Sequence, residues 1–318
     1  MSSDILLHLM RQWLVYLEVM GGAMDVSVVI LTKDEKLHIW RCLERLTPLE
    51  PRQIFIVDCY STDDTKSIVE NFAKSLQLQL ATPTKSSSLQ LQLETPTINL
   101  IEHEWPGLYA KQFNWALDNL PIEAKWILRM DADEYLTPET IEQLKEELPN
   151  MPQDVSGLNI ELKRKFRGGE IRHGTVGIRQ ARIFRYGIGR CEDRAMDEHI
   201  VVSQGRIIDF DGAFYDDSLM PFEVWKEKHR GYAKREAMDA LSLFNDPQRL
   251  SNPSATDRKK IKYYKLPRYF RAVAYFCIRY FLKLGFLDGR VGWRWHFWQG
   301  LWYRWIVDRE IGRMKRSR

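Results

Sequence analysis

Apolar positions along the chain switch repeatedly between strand and helix spacing. Residues 25–32 (DVSVVILT) are a continuous apolar, β-branched run, the pattern of a strand buried on both faces of a parallel sheet. Residues 34–46 then take helical spacing, with Leu37, Ile39, Trp40, Leu43 and Leu46 apolar. A second strand is expected at 53–58 (QIFIVD), after which Ser61, Thr62 and Asp63 offer N-caps for a helix to about residue 74. Residues 98–102 predict a third strand, 109–119 a helix, and 125–130 (KWILRM) a fourth strand. Thr137 followed by Pro138 marks the next helix start, since proline suits the first helical position. Strands alternating with helices specify an α/β fold, a mixed and mostly parallel sheet flanked by helices.

Three stretches depart from this rhythm. SLQLQLATPT at 75–84 recurs as SLQLQLETPT at 88–97, and the Leu/Gln alternation predicts a duplicated surface insertion folded as a β-hairpin. Deleting residues 85–97, one copy, is expected to leave activity nearly intact. Residues 155–210 read as short, basic, glycine-punctuated strands, and helical spacing returns at 222–244, 266–284 and 293–314. The expected organisation is an N-terminal extension at 1–23, a main domain at 24–215 with the insertion at 75–97, and a helical C-terminal region at 216–318. The extension is either an amphipathic segment or an upstream start ahead of the first strand.

Composition narrows the class. With 318 residues, 44% hydrophobic and 28% charged, the chain can fill a large core and is not disordered. Its four cysteines are scattered without a C-x-x-C pair, which argues against a zinc ribbon or a disulfide framework and for a reducing cytoplasm. No apolar run is long and clean enough to span a bilayer, and Asp4 stands where a signal peptide would be basic. The net charge of +4 conceals an acidic first half, with 13 Lys and Arg against 23 Asp and Glu in residues 1–150. Residues 261–318 instead hold 14 basic and 3 acidic residues, and five of the eleven tryptophans lie at 293–305. Basic residues mixed with aromatics suit an anionic membrane surface, so peripheral contact at the inner face of the plasma membrane is expected; no nucleic-acid module is recognisable.

The sharpest chemical signal is Asp131-Ala132-Asp133 directly after the fourth strand. Two carboxylates one residue apart at a strand end can hold a hard divalent cation, although the same pattern also serves as a solvated turn. Four ordered segments, VSVVILTKDE, IFIVDCYSTDDT, AKQFNWALDN and WILRMDADEYL, together resemble the nucleotide-sugar domain of the inverting family 2 glycosyltransferases over residues 26–200. The nearest resemblance is to the bacterial enzymes that build lipopolysaccharide core, capsule and other surface glycans.

The resemblance implies a GT-A-like (Rossmann-like) fold, a nucleotide-sugar donor, most simply a UDP-sugar, and a divalent metal, Mn2+ or Mg2+. It implies that Thr32 and Asp58 line the nucleotide pocket, with Asp58 reading the base and Asp63 nearby. Cys59 stands where a second Asp often follows. Lys111, Gln112 and Asn114 match the helix that approaches diphosphate and sugar; Asp131 would contact ribose or sugar, and Asp133 the metal. The base that activates the acceptor hydroxyl is expected in CEDRAMDEH, with Glu198 first, Asp197 second and the Glu192-Asp193 pair third. His199 would orient that carboxylate or complete the metal shell. Arg182, Arg185, Arg190 and Arg194 are candidates for diphosphate or an anionic acceptor, or else a solvated strand face. The expected acceptor is a saccharide or lipid-linked glycan.

Three rivals belong to other classes. A sugar-nucleotide nucleotidyltransferase would carry a glycine-rich loop where Thr32-Lys33-Asp34-Glu35 stands. An aspartyl-phosphate phosphatase would carry its D-x-D after the first core strand, not the fourth. A non-catalytic nucleotide-sugar binding protein would have lost part of the Asp58, Asp131, Asp133 and Glu198 set.

Overall fold

The computed structural model describes residues 22–81, 96–175, 177–192 and 198–316. Its first half is built of β1 (Met24–Thr32), α1 (Ile39–Leu46), β2 (Pro51–Asp58), α2 (Thr65–Ala81), β3 (Thr97–Glu102), α3 (Tyr109–Asn119), β4 (Trp126–Asp131), β5 (Glu134–Leu136) and α4 (Pro138–Glu147). Alternate residues of β1 serve opposite faces of the sheet, as the two-residue strand period requires. Val28 and Ile30 pack with Ile39 and Leu43 of α1, whereas Val29 packs with Phe113 and Ala116 of α3. Burial on both faces is why the strand reads as an unbroken apolar run.

The second half of the sheet comprises β6 (Val155–Phe166), β7 (Gly169–Ile171), β8 (Arg179–Arg185) and β11 (Arg206–Ser218), with β9 (Gly189–Cys191) and β10 (Ile200–Val202) as a separate antiparallel pair. The strand order is β3-β2-β1-β4-β8-β6-β11-β5, with β7 paired to β6. The first four are mutually parallel, β8 runs antiparallel to its neighbours, and β11 is parallel to β6. After β1 the chain adds β2 and β3 on one side and then returns to place β4 on the other. The crevice beyond the carboxyl ends of β1 and β4 is therefore a topological switch point, where open α/β sheets bind ligands.

Several predicted elements change at their ends. The first helix begins only at Ile39, because Asp34 takes φ 55° and the chain turns before His38. The first copy of the repeat is not a hairpin: its SLQLQL segment continues α2 to Ala81. Leu, Gln and Ser tolerate a helix well enough for an established helix to propagate through them. Most of the second copy, and the segments at 1–21 and 193–197, lie outside the described residues. Thr97, which a deletion of 85–97 would remove, opens β3 and pairs with Gln53. β11 runs through residue 215 to Ser218, so helical structure begins at Phe222. The cap before α4 is as expected, with Thr137 Oγ1 accepting from the Thr140 amide.

The C-terminal region holds α5 (Phe222–Asn245), α6 (Pro247–Ser251), α7 (Ala255–Tyr264), α8 (Phe270–Cys277), α9 (Gly289–Trp295) and α10 (Tyr303–Arg316), with wider π-turns at Ile278–Leu282 and His296–Trp302. Its aromatics divide between two environments. Trp295 joins Trp225, Phe166 and Ile171 in a small core that fastens these helices to the β6–β7 hairpin. Tyr303, Ile306 and Val307 pack on the alanine stripe Ala233, Ala237 and Ala240 of α5. Phe281, Leu282, Leu287 and Trp293 remain exposed. Among the described residues no helix is long and apolar enough to cross a membrane.

Candidate active site

Parallel pairing brings the ends of three strands together. Leu31 lies beside Asp131, and Thr32 beside Asp58. A cavity of about 670 Å³ opens over these ends, with Thr32, Cys59, Asp131, Asp133 and Glu198 in its wall.

The turn bearing the two aspartates is held from beneath by charge. Glu134, buried, accepts from the Asp131 amide at 2.9 Å and pairs with Arg182 Nη2 at 2.6 Å. Arg182 is itself buried, and its Nη1 lies 3.9 Å from Asp131 Oδ2. Burial pushes the Glu134 carboxyl well up, against the pull of Arg182. On the other side Arg41 Nη1 donates to Asp217 Oδ2 at 2.9 Å, and the Asp217 amide donates to the Asp133 carbonyl. Neither Arg41 nor Asp217 stands out in sequence, because they lie 176 positions apart, one on α1 and the other on β11.

Asp133 sits in an excess of negative charge. Burial first, and then Asp216 and Glu35, push its carboxyl up to about 7, with Lys228 opposing. A divalent cation relieves such crowding. Among the described residues no group of three His, Cys, Asp or Glu side chains is gathered to hold one. The pair Asp131 and Asp133 fits the alternative in which one or two carboxylates share the ion with water and phosphate oxygens. His199 is not part of that set: it is exposed, outside the cavity wall, with Nε2 3.4 Å from Thr256 Oγ1.

Glu198 approaches from the segment after β9. Its Oε1 accepts from Arg129 Nη2 at 3.0 Å, and Arg129, nearly buried, lies 5.3 Å from the Phe113 ring centroid. Asn114 fixes the base of this segment rather than facing the cavity, giving Nδ2 to the Cys191 carbonyl and taking the Cys191 amide on Oδ1. Asp197 and Asp193 lie outside the described residues.

The remaining candidates have local tasks. Asp58 is fully buried, and its oxygens accept from Thr32 Oγ1 and from the amide and hydroxyl of Ser61. The residue at that strand end that reaches the cavity wall is Cys59. Asp63 accepts from the amide and hydroxyl of Thr65 at the start of α2. Gln112 is buried with Oε1 at 2.9 Å from His103 Nδ1, and Lys111 is exposed outside the cavity wall. Arg185 bonds the Val155 carbonyl and Arg190 pairs with Asp118, so both work in the scaffold.

Sequence reasoning missed the far wall, supplied by the C-terminal region. Trp225, Lys228, Tyr232 and Arg235 line the cavity from one stripe of α5, and Trp295 and Gln299 join them. The i, i+3, i+7 and i+10 spacing on α5 is legible as one helix face, but nothing local says that the face covers a site.

The profile described as Glycosyl transferase family 2 matches residues 27–211. No curated protein matches in sequence. Similar solved structures include a mannosyltransferase from Pyrobaculum calidifontis in complex with GDP-Man and Mn2+, at 14% identity over 91% of this chain and 87% of that chain, with TM-score 0.49. TarS 1–349 from S. aureus in complex with UDP is 13% identical over 93% of this chain and 92% of its own, with TM-score 0.41. None of these likenesses is close enough to carry an activity across.

Proposed function

Because the chain belongs to glycosyl transferase family 2, its fold being of the GT-A type, we propose that it moves a sugar from a nucleotide-sugar, most simply a UDP-sugar, to a saccharide or lipid-linked acceptor with inversion at the anomeric carbon. The observation that carries this reading is the meeting of Asp131, Asp133 and Glu198 in one cavity at the switch point of the sheet. The acceptor hydroxyl attacks the anomeric carbon as the bond from that carbon to the diphosphate oxygen breaks. The hydroxyl proton passes to the Glu198 carboxylate, and the diphosphate leaves with the bonding electron pair. Arg129 keeps Glu198 in place for that transfer.

Asp131 and Asp133 would hold Mn2+ or Mg2+. When bound, the ion neutralises the charge that develops on the leaving nucleotide. Arg182 and Glu134 hold the turn that carries both aspartates, so the site is shaped before the donor arrives. Thr32 and Cys59 border the nucleotide, while Asp58 shapes the turn behind them. With Cys59 rather than a second carboxylate there, the choice of base is left to neighbouring groups.

Peripheral membrane contact at the inner face of the plasma membrane, in surface-glycan synthesis, is part of the same proposal. Exposed Phe281, Leu282, Leu287 and Trp293 lie among exposed Lys283, Arg290 and Arg294, the mixture of apolar and basic groups that suits an anionic headgroup layer.

Calorimetry with UDP, GDP and TDP, each with and without Mn2+, tests the donor site. One nucleotide is expected to bind in a metal-dependent way, and Asp133→Ala is expected to remove that dependence. Folded protein that binds none of the three would overturn the donor assignment.

A further inference from the structure

We propose that the C-terminal half of the cavity is the acceptor subsite and that it takes a saccharide bearing an anionic group, a phosphate or a carboxylate; this rests on the transferase reading above. The floor of this half is aromatic. The Phe166 ring lies 5.5 Å from Trp225 and 5.3 Å from Trp295, centroid to centroid, and Phe222 stacks on Trp225 at 5.8 Å. Trp225, Trp295 and Phe166 bury their rings in this floor, so the half-buried Phe222 is the ring left to meet the apolar side of a sugar.

Two polar atoms of the residues in this wall are buried without a protein partner. Trp295 is 5% exposed, and its indole Nε1 has no hydrogen-bond partner among the described residues; the same holds for Gln299 Oε1. A buried donor or acceptor left unpaired is costly, and a sugar hydroxyl can both give and accept. Gln299 lies in the π-turn His296–Trp302, a deformation of helices that recurs at functional sites.

Charge identifies the rest of the ligand. Arg164, Arg167, Lys228 and Arg235 line this half, against Asp216, which already pairs with Arg164 at 2.9 Å, and Glu35, which lies 3.7 Å from Lys228 Nζ. Arg167 is the most telling. It occupies the first position of the two-residue turn joining β6 to β7, with φ 51° followed by Gly168 at φ 84°. Such turns favour Asn, Asp or Gly at that position, so an arginine there is held at a conformational cost. Its guanidinium lies 5.1 Å from the Phe222 ring centroid, and among the described residues no carboxylate is paired with it. A planar fork of donors beside an aromatic floor suits a phosphate or carboxylate on a sugar.

The test is calorimetric binding of glucose 6-phosphate, glucuronate, glucose and inorganic phosphate to the full chain and to Arg167→Gly. Glycine fits the positive φ, so this variant removes the guanidinium without straining the turn. The anionic sugars are expected to bind tighter than glucose, and Arg167→Gly to weaken them about ten-fold or more, the worth of one charged hydrogen bond, with UDP binding unchanged. Three results would overturn the inference. These are glucose binding as well as the anionic sugars, inorganic phosphate binding as well as glucose 6-phosphate, and Arg167→Gly weakening UDP rather than sugar. Protein that binds anionic sugars through Arg167 but no nucleotide would sink the donor reading and leave this subsite standing.

Discussion

Glu198→Gln is expected to lower the transfer rate by about 10²–10⁴-fold while leaving nucleotide-sugar binding intact. The amide oxygen of glutamine can still accept from Arg129, which reaches Glu198 at 3.0 Å, so the geometry of the segment should survive. What glutamine lacks is the ability to take up the acceptor proton as the donor bond breaks. The change should therefore fall on the chemical step and not on ground-state binding. Nucleotide release in the presence of lipid-linked saccharides, set beside calorimetric donor binding, separates the two. A rate within a few-fold of the parent would remove Glu198 as the base. If Asp197→Asn alone reproduced the slow phenotype, the base would be the residue before it.

The second large effect is on stability. Arg182→Met should destabilise the fold by about 3–5 kcal/mol, because removing one partner of a buried pair leaves the other charge uncompensated. Here the survivor is Glu134, buried and bonded to the Asp131 amide, so the turn that presents both aspartates should loosen with it. Urea unfolding would read the stability, and Mn2+-dependent nucleotide binding would read the turn. The double variant Arg182→Met with Glu134→Leu should recover most of the stability, since apolar replacement of both members of a buried pair is often neutral. It should not recover nucleotide binding, because leucine cannot hold the Asp131 amide. If Arg182→Met alone unfolded like the parent, Arg182 and Glu134 would be bystanders to the fold.

Local pattern determined much of this protein. The apolar runs at β1, β2 and β4, the helical spacing of α3, the Thr137-Pro138 helix start and the aspartates at the end of β4 all follow from nearest neighbours along the chain, and each stands where its pattern places it. Since parallel strands end at one edge, the sequence alone already directed Asp131 and Asp133 to the binding edge of an α/β sheet. The Leu/Gln repeat shows the limit of local pattern, because a short alternation suits either geometry and helix α2, once started, carried the first copy with it.

Tertiary structure alone decided which polar groups meet. Asp58 and Cys59 are neighbours in sequence, yet the turn that Ser61 closes draws one carboxylate inward and leaves the thiol at the cavity. Arg182 finds Glu134 across 48 positions and Arg129 finds Glu198 across 69, through the register of β4 and β8 and the path of the chain after β9. The far wall comes from α5 and α9, because Trp225 and Trp295 bury their rings against Phe166 of the β6–β7 hairpin. Burial of apolar surface is non-directional, so it shows that a helix face must be covered without saying by what. Pairing of buried charges and packing of rings depend on partners far along the chain, and those partners become neighbours only when the sheet closes.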